Sequence, residues 1–278
     1  MIISAKEYRP SAHLEPYVDS YTYQVFSGLG HNEETPLQRC LPLGMTEIII
    51  IVNKCKVHTL VDGIWEQMPD ASFVGLYKDA AIWKAVGPAI LFYITLNPES
   101  LLQLFKVPVA TMFNDFTDIR NVMGKRVEEL TERMYGVQCP ETLIAVAEGF
   151  LTKRLRDVNM QRNYLDDAVG LIRSARGNMS IDELCRQLHV SDRKLQRGFK
   201  ESFGITPKTY TRIIRFRNAY ECIQNPRCAK PSWANLSYNY GYADQAHFIR
   251  DFKEFSGEVP SVIHKEEQLF YQHEEMFI

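Results

Sequence analysis

Hydrophobic and polar positions change their period once along the chain, at Asn97-Pro98. Before that point, runs of β-branched and aromatic residues such as "YVDSYTYQVF" and "MTEIIIIVNKCKVHTLV" alternate with turn signals at Ser27-Gly28, Pro42-Leu43-Gly44, Asp62-Gly63, Pro69-Asp70 and Gly87-Pro88. Short strands punctuated this closely predict a small β-barrel or sandwich. After it the period is helical. "PESLLQLF" opens on Pro98 at a first-turn position, and "GKRVEELTERMYG" sets Val127, Leu130 and Met134 on one face. "PETLIAVAEGFLTKRL", from Pro140, aligns Leu143, Val146, Ala147 and Phe150 in one stripe, a face that could also serve dimerisation. The polar stretch "RDVNMQRN", 156–163, has no apolar periodicity and predicts a connector. It separates a domain over 1–158 from one over 164–265, and an acidic tail over 266–278 follows.

The second domain reads as consecutive short helices and contains a repeat. Ser180 precedes "IDELCRQLH", whose Ile181, Leu184, Cys185 and Leu188 fall at i, i+3, i+4 and i+7, a capped amphipathic helix. Val190-Ser191 makes a turn, Ser191 caps a second helix, and Leu195, Phe199 and Phe203 return its apolar face to the first. This helix-turn-helix spans about 180–204 and leaves Arg193, Lys194, Gln196, Arg197 and Lys200 outward. A second copy over about 231–257 starts at Pro231-Ser232, turns at Gly241-Tyr242-Ala243, a turn one residue longer, and caps at Asp244. Its Phe248, Phe252 and Phe255 face inward, while Gln245, His247, Arg250 and Lys253 remain outside. Leu195-x-Arg197-x-Phe199-Lys200-Glu201 matches Phe248-x-Arg250-x-Phe252-Lys253-Glu254, and Gly204 and Pro207 match Gly257 and Pro260.

Such a surface suits a duplex groove. A helix fits the major groove, where Arg bonds guanine bidentately, Gln bonds adenine, and Lys and helix N-termini meet phosphates. A helix-turn-helix presents its second helix for this purpose, and two units would enter successive grooves about one helical turn apart. One copy alone is more often an ordinary helical hairpin. Two matching copies argue against that, and the alternative that one copy binds while the other is scaffold stays open. Specificity is expected where the copies differ, at Arg193, Lys194 and Gln196 in one and Gln245, Ala246 and His247 in the other.

Charge sharpens this picture. The net charge of −2 argues against a polyanionic partner, but its distribution is uneven. Residues 161–264 hold 16 Lys+Arg and 11 Asp+Glu, hence +5; residues 1–160 hold 15 and 19, hence −4; the tail from Lys265 holds 1 and 4, hence −3. The basic excess coincides with the repeat, as a DNA-binding segment requires. At 278 residues, 45% hydrophobic and 24% charged, the chain reads as a soluble two-domain protein. No apolar run, Ile48–Val52 included, is long enough to cross a membrane, so a cytoplasmic protein is expected.

Catalytic chemistry leaves no trace. Six scattered cysteines form no C-x-x-C pair, and His13, His31 and His58 stand alone. No G-x-S-x-G, phosphate-cradling loop or H-E-x-x-H occurs, so no enzyme, cofactor or metal is expected. Tyr21, Tyr23, Phe26, Trp65, Phe73, Trp83, Phe92 and Tyr93 either line a ligand cavity or, more commonly for such residues, fill the core.

The stretch from Ser180 to Pro260 resembles the DNA-binding domain of the AraC/XylS transcription regulators. Its carriers are "LCRQLHVSDRKLQRGFK" with "GITPKTY" in the first unit, Arg215 and Ala219 in the connecting helix, and "GYADQAHFIRDFK" in the second. The resemblance implies two helix-turn-helix units on a rigid helix, with Arg193, Gln196, Arg197, Gln245 and Arg250 reading bases. Val259 and "SVIHKE" depart from the family pattern, and Gly198 inside the first recognition helix should cost about 1 kcal/mol relative to Ala. Through "YRPSAHLEPYVDSYTY", "LPLGMTEIII" and "SFVGLYKDA", residues 8–135 resemble, less specifically, the cupin-like sensor domains of some members. The expected fold is therefore α+β, a cupin-like amino-terminal β-barrel with helices followed by an all-α double helix-turn-helix domain. The expected function is sequence-specific regulation of transcription on double-stranded DNA, responsive to an effector, with RNA polymerase and a second copy of the chain as further candidate partners. Two alternatives remain: a β-barrel enzyme, metal-dependent or metal-free, with a DNA-targeting domain, and a DNA-binding protein that does not read sequence.

Overall fold

The run Thr46–Ile51 explains the layering of the amino-terminal half. Ile48 and Ile50 pack toward a helical layer, while Glu47, Ile49 and Ile51 point toward a second sheet, so a strand covered on both faces carries an almost unbroken apolar run. The computed structural model describes residues 1–159, 162–224 and 232–265.

Among the described residues ten strands form two antiparallel sheets. The larger joins β1 (Ile2–Tyr8), β2 (Val18–Ser27), β9 (Ala89–Leu96), β4 (Thr46–Ile51), β7 (Ala71–Val74) and β10 (Phe116–Asp118) in that order. The smaller joins β3 (Gln38–Cys40), β8 (Ala81–Val86), β5 (Lys56–Val61) and β6 (Ile64–Gln67). The sheets stay separate, so the expected closed barrel is corrected to an open two-sheet sandwich. β1 and β10 edge one sheet, β3 and β6 the other, and no ladder joins them among the described residues.

Between the sheets lie Phe26, Val57, Met68, Val74, Ala85 and Leu91. The other face of the larger sheet, with Tyr21, Ile48, Phe73, Phe92 and Ile94, packs on α1 (Pro98–Phe105), α3 (Glu128–Met134) and α4 (Pro140–Asp157). A short α2 (Ile119–Met123) and two 3-10 turns, Val109–Met112 and Gly124–Val127, complete that layer. Leu143, Val146, Ala147 and Leu151 of α4 are buried in the core of their own chain and Phe150 stacks on Phe105, so the apolar stripe is not free for dimerisation.

Among the described residues the carboxy-terminal half has helices and no strand: α5 (Tyr164–Ser174), α6 (Ile181–Leu188), α7 (Asp192–Phe203), α8 (Pro207–Gln224), α9 (Trp233–Asn239) and α10 (Gln245–Ser256). Residues 260–265 add a last helical turn. The expected start of the second copy at Pro231 and the acidic tail 266–278 lie outside the described residues. Asn163 opens α5 with a capping box through Asp166.

The two halves share a packed seam. Tyr210 of α8 is buried and donates its hydroxyl hydrogen to the Gly44 carbonyl at 3.3 Å. Asp19 of β2 meets two arginines of the helical half: Oδ1 lies 3.3 Å from Arg173 Nη2 and Oδ2 lies 2.8 Å from Arg217 Nη2. Arg173 also donates to the Asn97 side chain, and Arg217 Nε reaches Glu221 at 2.6 Å. No helix among the described residues is long and apolar enough to cross a membrane.

Candidate nucleic-acid interface

Each repeat unit folds for the same local reasons. In the first, Ser180 accepts a hydrogen bond from the Glu183 amide at 3.1 Å to start α6, and Ser191 accepts from the Lys194 amide at 3.3 Å to start α7. In the second, Ser232 caps α9 and Asp244 accepts from the His247 amide at 2.7 Å to start α10. The matched glycines close both second helices in the left-handed region, Gly204 at φ +76° and Gly257 at φ +79°. Leu195, Phe199 and Phe203 are buried in one unit, and Phe248, Phe252 and Phe255 in the other.

The structure places the sequence-predicted residues as follows. Arg193, Lys194, Arg197 and Lys200 are exposed on α7, and Gln196 is half-buried with its amide donating to Asp192 at 3.3 Å. Lys194 Nζ stands 4.8 Å from the centre of the Tyr164 ring, and Lys200 Nζ donates to the Gly204 carbonyl at 2.7 Å, closing the end of its own helix. Arg197 has only a loose partner, Glu201 at 3.9 Å, both side chains being about 70% exposed, a pair worth little in water. On α10, Gln245, Arg250 and Lys253 are exposed. His247 differs: it is half-buried, its Nδ1 accepts from the Ala243 amide at 3.3 Å and its Nε2 lies 3.6 Å from Asp251, an arrangement that suits a proton on Nε2. Its ring edge also packs on Tyr242.

Two arginines of α8 hold the two units together, Arg212, which sequence reading missed, and Arg215, which the family resemblance named without a contact. Arg212 of α8 grips α10 by donating from Nη2 to Asp251 Oδ1 at 2.9 Å, from Nε to Asp251 Oδ2 at 3.2 Å and from Nη2 to Glu254 Oε2 at 2.6 Å. Asp251 is itself buried. One turn later, Arg215 donates from Nη2 to the Gly177 carbonyl at 3.0 Å, in the loop entering the first unit, and lies 5.3 Å from the Tyr242 ring in the turn of the second. Paired, fork-shaped donors of this kind set orientation as well as contributing energy. Between the units runs a groove lined by Ser180, Lys208, Arg215, Arg250 and Glu254.

Gly198 also reads differently in three dimensions. A Cβ there would stand 2.3 Å from the Tyr164 hydroxyl oxygen and 2.9 Å from Leu165 Cδ2, so the glycine lets α5 approach α7 closely. Its helix-propensity cost is the condition for that contact.

Comparison with known proteins agrees with this architecture. Residues 184–266 match a family described as a helix-turn-helix domain, and residues 6–118 match a domain of unknown function, DUF6597. The Msm operon regulatory protein of Streptococcus mutans is 27% identical over 159 residues, covering 56% of each chain. The XylDLEGF operon transcriptional activator of Pseudomonas putida is 27% identical over 84 residues, 30% of this chain and 26% of that one. The chain thus spans about half the length of the first relative and about a quarter of the second. Apo ToxT from Vibrio cholerae shares the fold with a TM-score of 0.50 at 11% identity, over 88% of this chain and 96% of that one. The doubled helix-turn-helix with its bridging helix thus lies in a matched helix-turn-helix domain, and over that region the chain is similar to operon-regulatory proteins.

Proposed function

We propose that this chain is an effector-responsive, sequence-specific DNA-binding transcription regulator that inserts α7 and α10 into successive major grooves. The observation that carries the reading is the double clamp of Arg212 and Arg215, which fixes two donor-bearing helices on one rigid helix. Arg193, Gln196 and Arg197 on α7, and Gln245 and Arg250 on α10, are the proposed base readers, with Lys194, Lys200, Lys253 and Lys208 of the intervening groove toward phosphate. His247 serves first to brace its helix against Asp251 and Tyr242.

Selection from random duplexes tests this. An enriched asymmetric site with two half-sites about 10 base pairs apart is expected, and recovery of no motif overturns the reading. Arg250→Ala is expected to weaken the selected site by about 1–3 kcal/mol, roughly 5- to 150-fold, at a single base position. Lys208→Ala is expected to weaken all duplexes alike and to lower the slope of log K against log salt by about one.

The effector site is proposed in the amino-terminal half, where Trp83 and Tyr93 line a recess between the sheets. Tyr21, Phe26, Phe73 and Phe92, by contrast, are core. Among the described residues no group of three or more His, Cys, Asp or Glu is placed to hold a metal ion.

A further inference from the structure

We infer that the cleft between the amino-terminal sandwich and α8 binds a small organic cation, a protonated amine on an apolar or aromatic body, with Glu47 as its counter-charge. The inference names the ligand chemistry for the effector-responsive reading above and rests on that reading.

The cleft has a volume of about 340 Å³, at the lower end of what small-molecule sites use. Carboxylates enter it from four elements: Glu7 from β1, Asp19 from β2, Glu47 from β4 and Glu221 from α8. Arg217 is the one basic side chain among the described residues that line it, and it is already committed, 2.8 Å from Asp19 and 2.6 Å from Glu221. Glu7 has the Ser20 hydroxyl and the nearby charge of Arg217, whereas Glu47 has no hydrogen bond or ion pair to any described residue. An anionic ligand would meet this excess of negative charge unpaired, and among the described residues no group of three or more His, Cys, Asp or Glu is placed to hold a metal ion.

Glu47 also stands where two spaces meet. With Cys40, Val74 and Tyr77 it lines both the cleft and the recess between the sheets, whose other walls include Ile49, Met68, Trp83, Leu91 and Tyr93. The recess is about 50 Å³ and has no Lys, Arg or His among its described walls. It is much smaller than the cleft, so the bulk of a ligand lies in the cleft. The surface that Glu47 retains faces these spaces, and burial pushes its carboxyl up to about 7. The groups around it, Cys40, Tyr77 and Tyr93, are neutral and themselves pushed upward by burial, so nothing resident supplies the missing positive charge. Glu7 is likewise raised by burial and then by Asp19. An ammonium group beside Glu47 would offset its burial penalty while an apolar body covers the recess wall.

Calorimetric titration of the full chain at pH 8 with phenethylamine, 3-phenylpropionate and 2-phenylethanol separates charge from shape. The amine is expected to bind at least tenfold more tightly than the acid or the alcohol. Glu47→Gln is expected to remove that preference at least tenfold, and Glu7→Gln to reduce it less. Melting curves of the unliganded variants check that both fold. Equal affinities, no binding by the amine, or an unchanged preference in folded Glu47→Gln overturns the inference. These titrations contain no DNA, so a chain that selects its DNA motif yet shows no amine preference overturns the ligand assignment alone. A chain that binds amine but selects no motif overturns the regulator reading instead.

Discussion

Gly177→Ala is expected to lower the unfolding free energy by about 2–5 kcal/mol and to abolish binding to the selected duplex. Gly177 sits at φ +72° in the loop between α5 and α6, where a side chain costs about 1–2 kcal/mol. A Cβ there would stand 2.5 Å from the Thr211 carbonyl oxygen and 2.7 Å from the Arg215 amide nitrogen, both backbone atoms of α8 that no rotamer change moves. Overpacking of this kind typically adds about 1–3 kcal/mol. The same displacement pulls the Gly177 carbonyl from Arg215 and so loosens the grip of α8 on the entry to the first unit. Gly170→Ala is the control: it lies exposed within α5 with no atom within 4 Å of the added Cβ, and should stabilise by about 0.5–1 kcal/mol. Urea unfolding of both variants with gel-shift titration on the selected site reads the contrast. Equal effects of the two substitutions would show that α8 does not depend on this close approach.

That dependence shows which parts of the molecule were readable from the chain. Helix caps at Ser180, Ser191 and Asp244 and the apolar stripes of α7 and α10 are local, so a period of 3.6 residues and a capping side chain suffice to place them. The outward position of Arg193, Lys194 and Arg250 follows from the same periodicity. The open sandwich was only half legible: strands alternate in the same way whether the sheets close on each other or not, and closure depends on pairings between distant edges. The stripe of α4 likewise shows an apolar face without saying what covers it, and here the cover is the chain's own core.

Long-range polar contacts were not legible at all. Asp19 lies 154 residues from Arg173 and 198 from Arg217, and nothing around it in sequence marks it as the acid that joins the two halves. Asp251 looks like a surface residue of a basic helix, yet it is buried because Arg212 reaches across from α8. Gly198 reads as a defect in a helix until Tyr164 is seen against it. Glu47 hides for a different reason. It is a single charge at the start of an isoleucine run, where alternation sends it between the sheets rather than to solvent.

For Glu47 this placement implies a measurable dependence of stability on pH. Its carboxyl titrates near 7 in the folded chain against the ordinary carboxylate value of 4.5, because burial disfavours the charged form. Between those values the folded state holds a proton that the unfolded state has released, so stability falls as pH rises through that interval. Below pH 4.5 both states are protonated and the group contributes nothing; above pH 7 the buried charge costs up to about 3 kcal/mol. Glu47→Gln keeps the shape and removes the titration, so the variant should be more stable than the parent by up to about 3 kcal/mol at pH 8 and equal to it near pH 4. Glu99, buried at the start of α1 with one carboxylate oxygen unpartnered, is also pushed up to about 7 by burial, partly offset by a hydrogen bond from its own backbone amide and then by Arg173, and leaves a residual slope in the Glu47→Gln variant. Denaturant unfolding at half-unit steps from pH 4 to 8 measures the difference directly. Parallel curves for parent and variant would mean that Glu47 is solvated in the free protein. Curves that converge as pH falls, and that also converge at pH 8 when phenethylamine is added to the parent, would tie the buried charge to the cation it lacks.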